Sequence, residues 1–274
     1  MKLITAMILT AISQAVAFVN ADSASTSTPA PVFNPADLME AKTFTSLEGL
    51  SIAYRVHKPK AEVLAEGTKL PVVLFLHGAG ERGDDNTAQF VHCIKPLLRF
   101  VTDGKHPAIV IAPQCPAGMW WSFGPSETNA PPISARQTNT LRAVLDIMKI
   151  EADETIADPA RIYVSGISMG GYGTWELIAR HPEKFAAAMP ICGGGDPATA
   201  SALTNLPIRV FHGAKDNVVI PEKSRVMVEA IKAAGGEKIE YVEYPEAWHD
   251  SWTQTYDDTA NLEWMFGQMR KCEK

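Results

Sequence analysis

Residues 161–173 read RIYVSGISMGGYG, and the rest of the 274-residue chain can be placed around them. Arg161, Ile162, Tyr163 and Val164 have the character of a buried strand. Gly166-Ile167-Ser168-Met169-Gly170 follows and matches G-x-S-x-G; Gly171, Gly173 and a helical pattern then run to Arg180. A strand, a sharp turn and a helix with serine at the apex lift a hydroxyl clear of a sheet edge. They also set it at a helix N-terminus, where partial positive charge collects. Glycine is expected at the flanks, because side chains there would collide with the neighbouring strand and helix. The same residues could equally be a glycine-rich turn without chemistry, so partners have to be found elsewhere in the chain.

Outward from this turn, short apolar runs alternate with helical patterns. Residues 71–76, PVVLFL, and residues 108–112 are continuous apolar runs, as in strands buried on both faces. Residues 185–191, 208–211 and 239–244 repeat the pattern, and 43–45 with 50–56 predict an edge hairpin around Glu48-Gly49. The spacing predicts helices over about 88–101, 134–151, 221–234 and 257–270. This alternation predicts a mainly parallel sheet covered by helices on both faces. Function in such sheets gathers at the carboxyl ends of the strands. His77-Gly78-Ala79, Ser168, Asp216 and His249 all fall there.

A serine hydroxyl is a poor nucleophile at neutral pH; it needs a base, and the base needs an orienting acid. After a strand–turn–helix serine the expected chain order is Ser, then Asp or Glu, then His. Of the seven histidines only His249 lies beyond Asp216. Asp216 follows a buried strand in a glycine-containing loop; Asp196, past the preceding strand, is its rival. Two backbone N–H groups must also converge on the developing oxyanion. Met169 supplies one and Ala79 the other, with Gly80 as second choice. His77 and Gly78 are expected to shape that loop, and Glu81 and Arg82 to pair locally and fix it. Trp120 and Trp121 could wall a substrate pocket or pack in the core. Trp252 is expected to pack under the His249 loop. This chemistry requires no cofactor. Neither HExxH, nor G-x-G-x-x-G after a strand, nor a Walker A sequence occurs, and no metal site is expected.

Composition is that of a globular chain, 46% hydrophobic and 20% charged, with a net charge of -6 that argues against nucleic acid and anionic membranes as partners. Met1-Lys2, an uncharged apolar stretch over residues 3–19 and Val19-Asn20-Ala21 read as a signal peptide, residues 1–21, cleaved on export. A membrane anchor is the alternative, but the stretch is marginal in length and interrupted by polar residues. No later run is long enough to cross a bilayer. Residues 22–37 are Ser/Thr/Pro-rich and read as a disordered leader, leaving 38–274 as the catalytic domain. The expected location is therefore extracellular or periplasmic. There, Cys93, Cys115, Cys192 and Cys272 could form a disulfide or remain buried thiols.

The stretches LFLHGAGERGDD, YVSGISMGGYGTWELIARHPEKFAAAMPICGGGD, FHGAKDNVV and YPEAWHDSW together resemble a branch of the α/β-hydrolases. It is the "predicted peptidase" or phospholipase/carboxylesterase-like branch, similar to polyhydroxybutyrate depolymerases and to feruloyl and acetyl-xylan esterases. The resemblance runs from about Lys42 to the C-terminus. It implies an α/β-hydrolase fold with Ser168 as nucleophile, Asp216 as acid, His249 as base, and Ala79 and Met169 at the oxyanion hole. The implied reaction is hydrolysis of a small-molecule or polysaccharide-linked carboxylic ester through an acyl-enzyme. A serine peptidase, or a non-catalytic binding protein on a hydrolase scaffold, is the alternative. About 16 residues separate the strands ending at Ile191 and starting at Ile208, too few for a helical lid.

Overall fold

The computed structural model describes residues 33–60, 64–122 and 137–271. Eight strands form one sheet: β1 (Glu40–Thr45), β2 (Ser51–His57), β3 (Leu70–Leu76), β4 (Ile109–Pro113), β5 (Ala157–Ile167), β6 (Ala187–Ile191), β7 (Ile208–Gly213) and β8 (Ile239–Tyr244). Their order is β1-β2-β4-β3-β5-β6-β7-β8. The first two pairings are antiparallel. All those from β4 to β8 are parallel, which puts the carboxyl ends of these strands on one edge. The α-helices are α1 (Ile94–Val101), α2 (Asn139–Glu151), α3 (Met169–Arg180), α4 (Glu222–Ala233), α5 (Ser251–Asp257) and α6 (Thr259–Phe266).

β3 shows why both faces are covered. Alternate side chains of a strand point to opposite faces. Val72, Leu74 and Leu76 share one apolar cluster with Leu141 and Val144 of α2 and Trp175 and Ile178 of α3. Val73 and Phe75 pack with Ile94, Leu97 and Leu98 of α1 and with Leu262 and Met265 of α6. Every residue of β3 is buried, as its unbroken apolar run requires.

The predicted helix over 88–101 is in two pieces: a 3-10 turn, Ala88–Phe90, and then α1. Pro96 accounts for the break. It has no N–H to give the carbonyl of His92, and its ring would clash with that carbonyl in a continuous helix. Cys93 turns the chain at φ 62° instead. The predicted last helix is shorter, Thr259–Phe266, and an unpredicted helix, α5, precedes it; between them Asp258 is extended and its side chain accepts from the Ala260 N–H at 3.0 Å, starting α6 afresh. Order begins before Leu38. Asn34 caps a 3-10 turn at Pro35–Asp37, and Phe33 and Leu38 pack on the α1 face. These two apolar residues anchor the end of a segment whose composition otherwise reads as disordered. The expected signal peptide and most of the leader lie outside the described residues.

Between β6 and β7 the only helical element is a 3-10 segment, Pro197–Leu203, so no helical lid is inserted there. Among the described residues no helix is long and apolar enough to cross a membrane. Cys93, Cys115 and Cys192 are buried free thiols, and Cys272 lies outside the described residues.

Candidate active site

Ser168 sits between β5 and α3 with φ 51° and ψ -116°, a conformation that L-residues rarely adopt. Its N–H donates to the Ile191 carbonyl at 3.0 Å, which ties the turn to the end of β6. The glycines on either side have no alternative. A Cβ at Gly166 would lie 2.3 Å from the Gly170 carbonyl oxygen, and one at Gly170 would lie 1.9 Å from that of Leu76.

The loops after β7 and β8 bring the predicted partners to this serine. His249 Nε2 lies 2.9 Å from Ser168 Oγ, and His249 Nδ1 lies 2.7 Å from Asp216 Oδ2. A carboxylate only accepts, so Nδ1 carries the proton and Nε2 is left free to accept from the serine hydroxyl. Asp216 is 4% exposed. Its Oδ1 accepts from the Val218 and Val219 N–H groups at 2.9 and 3.0 Å, so the loop locks the carboxylate in place. His212, at the end of β7, approaches Asp216 Oδ2 at 3.3 Å through Nε2. That nitrogen also donates to the Val219 carbonyl at 2.7 Å, and Nδ1 meets Ser224 Oγ at 2.7 Å. Burial lowers the basicity of His212, so it serves as a neutral N–H donor beneath the acid. The rival Asp196 is engaged otherwise: it caps the 3-10 segment, accepting from the Ala198 N–H at 3.0 Å.

The loop after β3 faces the same serine. A Cβ at Gly78 would lie 3.7 Å from Ser168 Cβ. Ala79 opens a 3-10 turn, Ala79–Glu81, and Met169 opens α3. The first N–H groups of helical turns have no partner within the turn, so both are available to a ligand atom. Gly80 is the second residue of its turn. His77 holds this loop from below. Its Nδ1 donates to the Gly78 carbonyl at 2.6 Å, and its Nε2 accepts from the Cys115 N–H at 2.9 Å. Burial drives its pKa down to about 4, so it stays neutral.

Comparison with known proteins identifies the family. Residues 60–262 match the family model described as Phospholipase/Carboxylesterase. The chain belongs to that family of α/β-hydrolases. A solved structure titled as a thermostable esterase superposes with a TM-score of 0.76 at 41% identity, covering 85% of this chain and 64% of that one. "Putative esterase NocK" of Nocardia uniformis subsp. tsuyamanensis is 29% identical over 61% of this chain and 46% of its own length. Feruloyl esterase B of Piromyces equi is 31% identical over 44% of this chain and 22% of its own length. The chain thus spans less than half the length of these two curated relatives.

Within the α/β-hydrolase frame two sequence expectations need correction. Trp121 is fully buried, donates Nε1–H to the His77 carbonyl at 3.0 Å and stacks edge-on against the His77 ring, so it packs as core and is no substrate wall. Trp120 is 46% exposed and lies under the Arg82 guanidinium, 4.9 Å away. Nor do Glu81 and Arg82 pair. Arg82 turns to Trp120 and to the Ala79 carbonyl at 2.8 Å, while Glu81 faces His92. Trp252 does pack on His249, ring edge to face with centroids 5.3 Å apart.

Among the described residues, the potential metal ligands that cluster are Cys192, Asp216 and His249. Asp216 and His249 are bonded to each other, and burial pushes the Cys192 thiol up, keeping it protonated, so this donor set suits no cation. His212 and Gln114 escaped the sequence reading. Gln114 stitches the β3 loop by donating to the Glu81 carbonyl and to Asp85 Oδ1, at 3.1 and 3.0 Å. His212 carried a signal, since it stands four residues before Asp216 at the end of a buried strand. Gln114 carried none.

Proposed function

We propose that this chain is a secreted serine hydrolase of carboxylic esters. Ser168 attacks the acyl carbon while His249 takes its proton. Asp216 holds the imidazole in the required tautomer and stabilises its charge. The Ala79 and Met169 N–H groups receive the negative charge that develops on the carbonyl oxygen. His249 then passes its proton to the departing alcohol, and water repeats the sequence on the acyl-enzyme. The observation that carries this reading is the continuous bonded row Ser168–His249–Asp216 at the strained turn. Membership of the phospholipase/carboxylesterase family supports it. Export follows from the N-terminal sequence. The substrate class we propose is a small acyl ester or one carried on cell-wall polysaccharide, in keeping with the likeness to feruloyl esterase B.

The test is a panel of aryl, acetyl and feruloyl esters set beside peptides, with a fluorophosphonate probe to report the serine. Ester turnover and labelling, both lost in Ser168→Ala, are expected. Cleavage of peptides without ester turnover, or an unlabelled folded wild type, contradicts the reading.

A further inference from the structure

Glu81 is 8% exposed. Its side chain is 11% exposed, so the carboxylate oxygens keep contact with solvent rather than with protein donors. Asp216, whose side chain is fully buried, has hydrogen bonds from backbone donors instead. Among the described residues, the Glu81 carboxylate accepts none. The basic groups within ion-pair distance are His92 Nε2 at 3.6 Å and His77 Nδ1 at 4.0 Å. The His77 proton is already given to the Gly78 carbonyl. Arg82, the adjacent cation, is turned away onto Trp120.

This under-satisfied carboxylate stands beside the nucleophile. A Cβ at Gly78 would lie 3.0 Å from Glu81 Oε2 and 3.7 Å from Ser168 Cβ, so the carboxylate and the serine lie close together on one side of Gly78. The His92 ring lies 5.1 Å from that of Trp252, and the Trp252 ring lies 5.3 Å from that of His249. His92 is about one-third exposed, so the row opens to solvent at the Glu81 end.

The geometry points to an acidic substrate subsite formed by Glu81 and His92 beside Ser168, taking a hydrogen-bond-donating group of the ester, a hydroxyl or an ammonium, and disfavouring anionic esters. A substrate donor supplies the hydrogen bond that the protein withholds. An incoming carboxylate meets a second carboxyl group with no hydrogen-bond donor between them. This deepens the esterase reading and rests on it.

The test uses one parent ester in neutral, hydroxylated, ammonium-bearing and carboxylate-bearing forms, with the substituent placed first on the acyl side and then on the alcohol side. On one side the wild type is expected to favour the ammonium ester over the carboxylate ester in kcat/KM by about tenfold or more. That is a lower bound, since a unit charge about 6 Å away at an effective permittivity of about 20 is worth about a hundredfold before solvent screening. The hydroxylated ester should fall between them. Glu81→Gln should reduce the ammonium-to-carboxylate ratio about tenfold, and Glu81→Asp should retain most of it. Equal losses on all four esters would mean that Glu81 merely holds the loop. Those losses, or a ratio unchanged on both sides, overturn the subsite. A wild type that hydrolyses none of the esters sinks the esterase reading and the subsite with it.

Discussion

Two loops meet at Ser168, and their carboxylates are treated in opposite ways. In the loop after β7, Asp216 is bonded by two backbone N–H groups and by His249, with His212 a further contact. In the loop after β3, Glu81 is less completely buried and accepts no hydrogen bond among the described residues. Buried polar groups are almost always paired. A fully paired carboxylate is a fixed part whose task is to orient its neighbour. An unpaired one at the mouth of a site keeps its bonding capacity for whatever enters. The β7 loop thus holds a fixed acid, whereas the β3 loop joins the Ala79 N–H beside the serine to a carboxylate with no protein donor, on a frame that His77, Gln114 and Trp121 pin from behind.

The largest expected effect breaks the fixed acid. Asp216→Asn keeps the shape but removes the charge and the tautomer control, so kcat should fall by about 10⁴-fold, whereas Asp196→Asn should stay within about twofold. Steady-state kinetics of the two variants on one aryl ester checks this; equal losses would erase the distinction between the two acids.

The next effect concerns how the β3 loop is pinned. The pKa of His77 falls from 6.5 to about 4 on burial, so the unfolded chain binds a proton that the folded one refuses. The stability this provides is complete above pH 6.5, declines as pH falls towards 4, and amounts to about 3 kcal/mol over that window. His57 and His212, lowered by the same cause, act in the same direction. Denaturant melts at stepped pH should show the loss, with a shallower slope in His77→Gln; a stability flat between pH 6.5 and 4 would contradict it.

A smaller effect sharpens the link between the loops. Gly78→Ala sets a methyl 3.0 Å from Glu81 Oε2, which must give way by a few tenths of an ångström. An expected loss of about tenfold in kcat/KM follows from misplacing groups around the nucleophile. Kinetics that match the wild type would show that Glu81 does not border the working space.

The sequence was most legible where chemistry imposes chain order. Ser168 needs a glycine-flanked turn, and His249 is the histidine that follows a suitable acid, so the bonded row Ser168–His249–Asp216 and the sheet edge could be read without coordinates. The supporting shell was less legible, because it is made by tertiary contacts. Trp120 and Trp121 are adjacent in an irregular loop, where no periodicity tells which one points inward. Gln114 looks like any residue after a strand. Glu81 and Arg82 suggest a local ion pair, but the 3-10 turn sends them to opposite sides. Pro96 did hold the information that ends the helix before His92, and Asp258 held that for the restart at α6. Both are local signals, set against an apolar pattern that runs through them.

The central claim is that Ser168 becomes acylated by an ester. Rapid-quench intact-mass measurement with an activated acetate ester, followed by peptide mapping, tests it most directly. The account predicts a transient gain of one acetyl group on the peptide carrying Ser168, absent in Ser168→Ala. Turnover of the ester with no acyl group on that peptide at any quench time, or an acetyl group mapped to another residue, would contradict it.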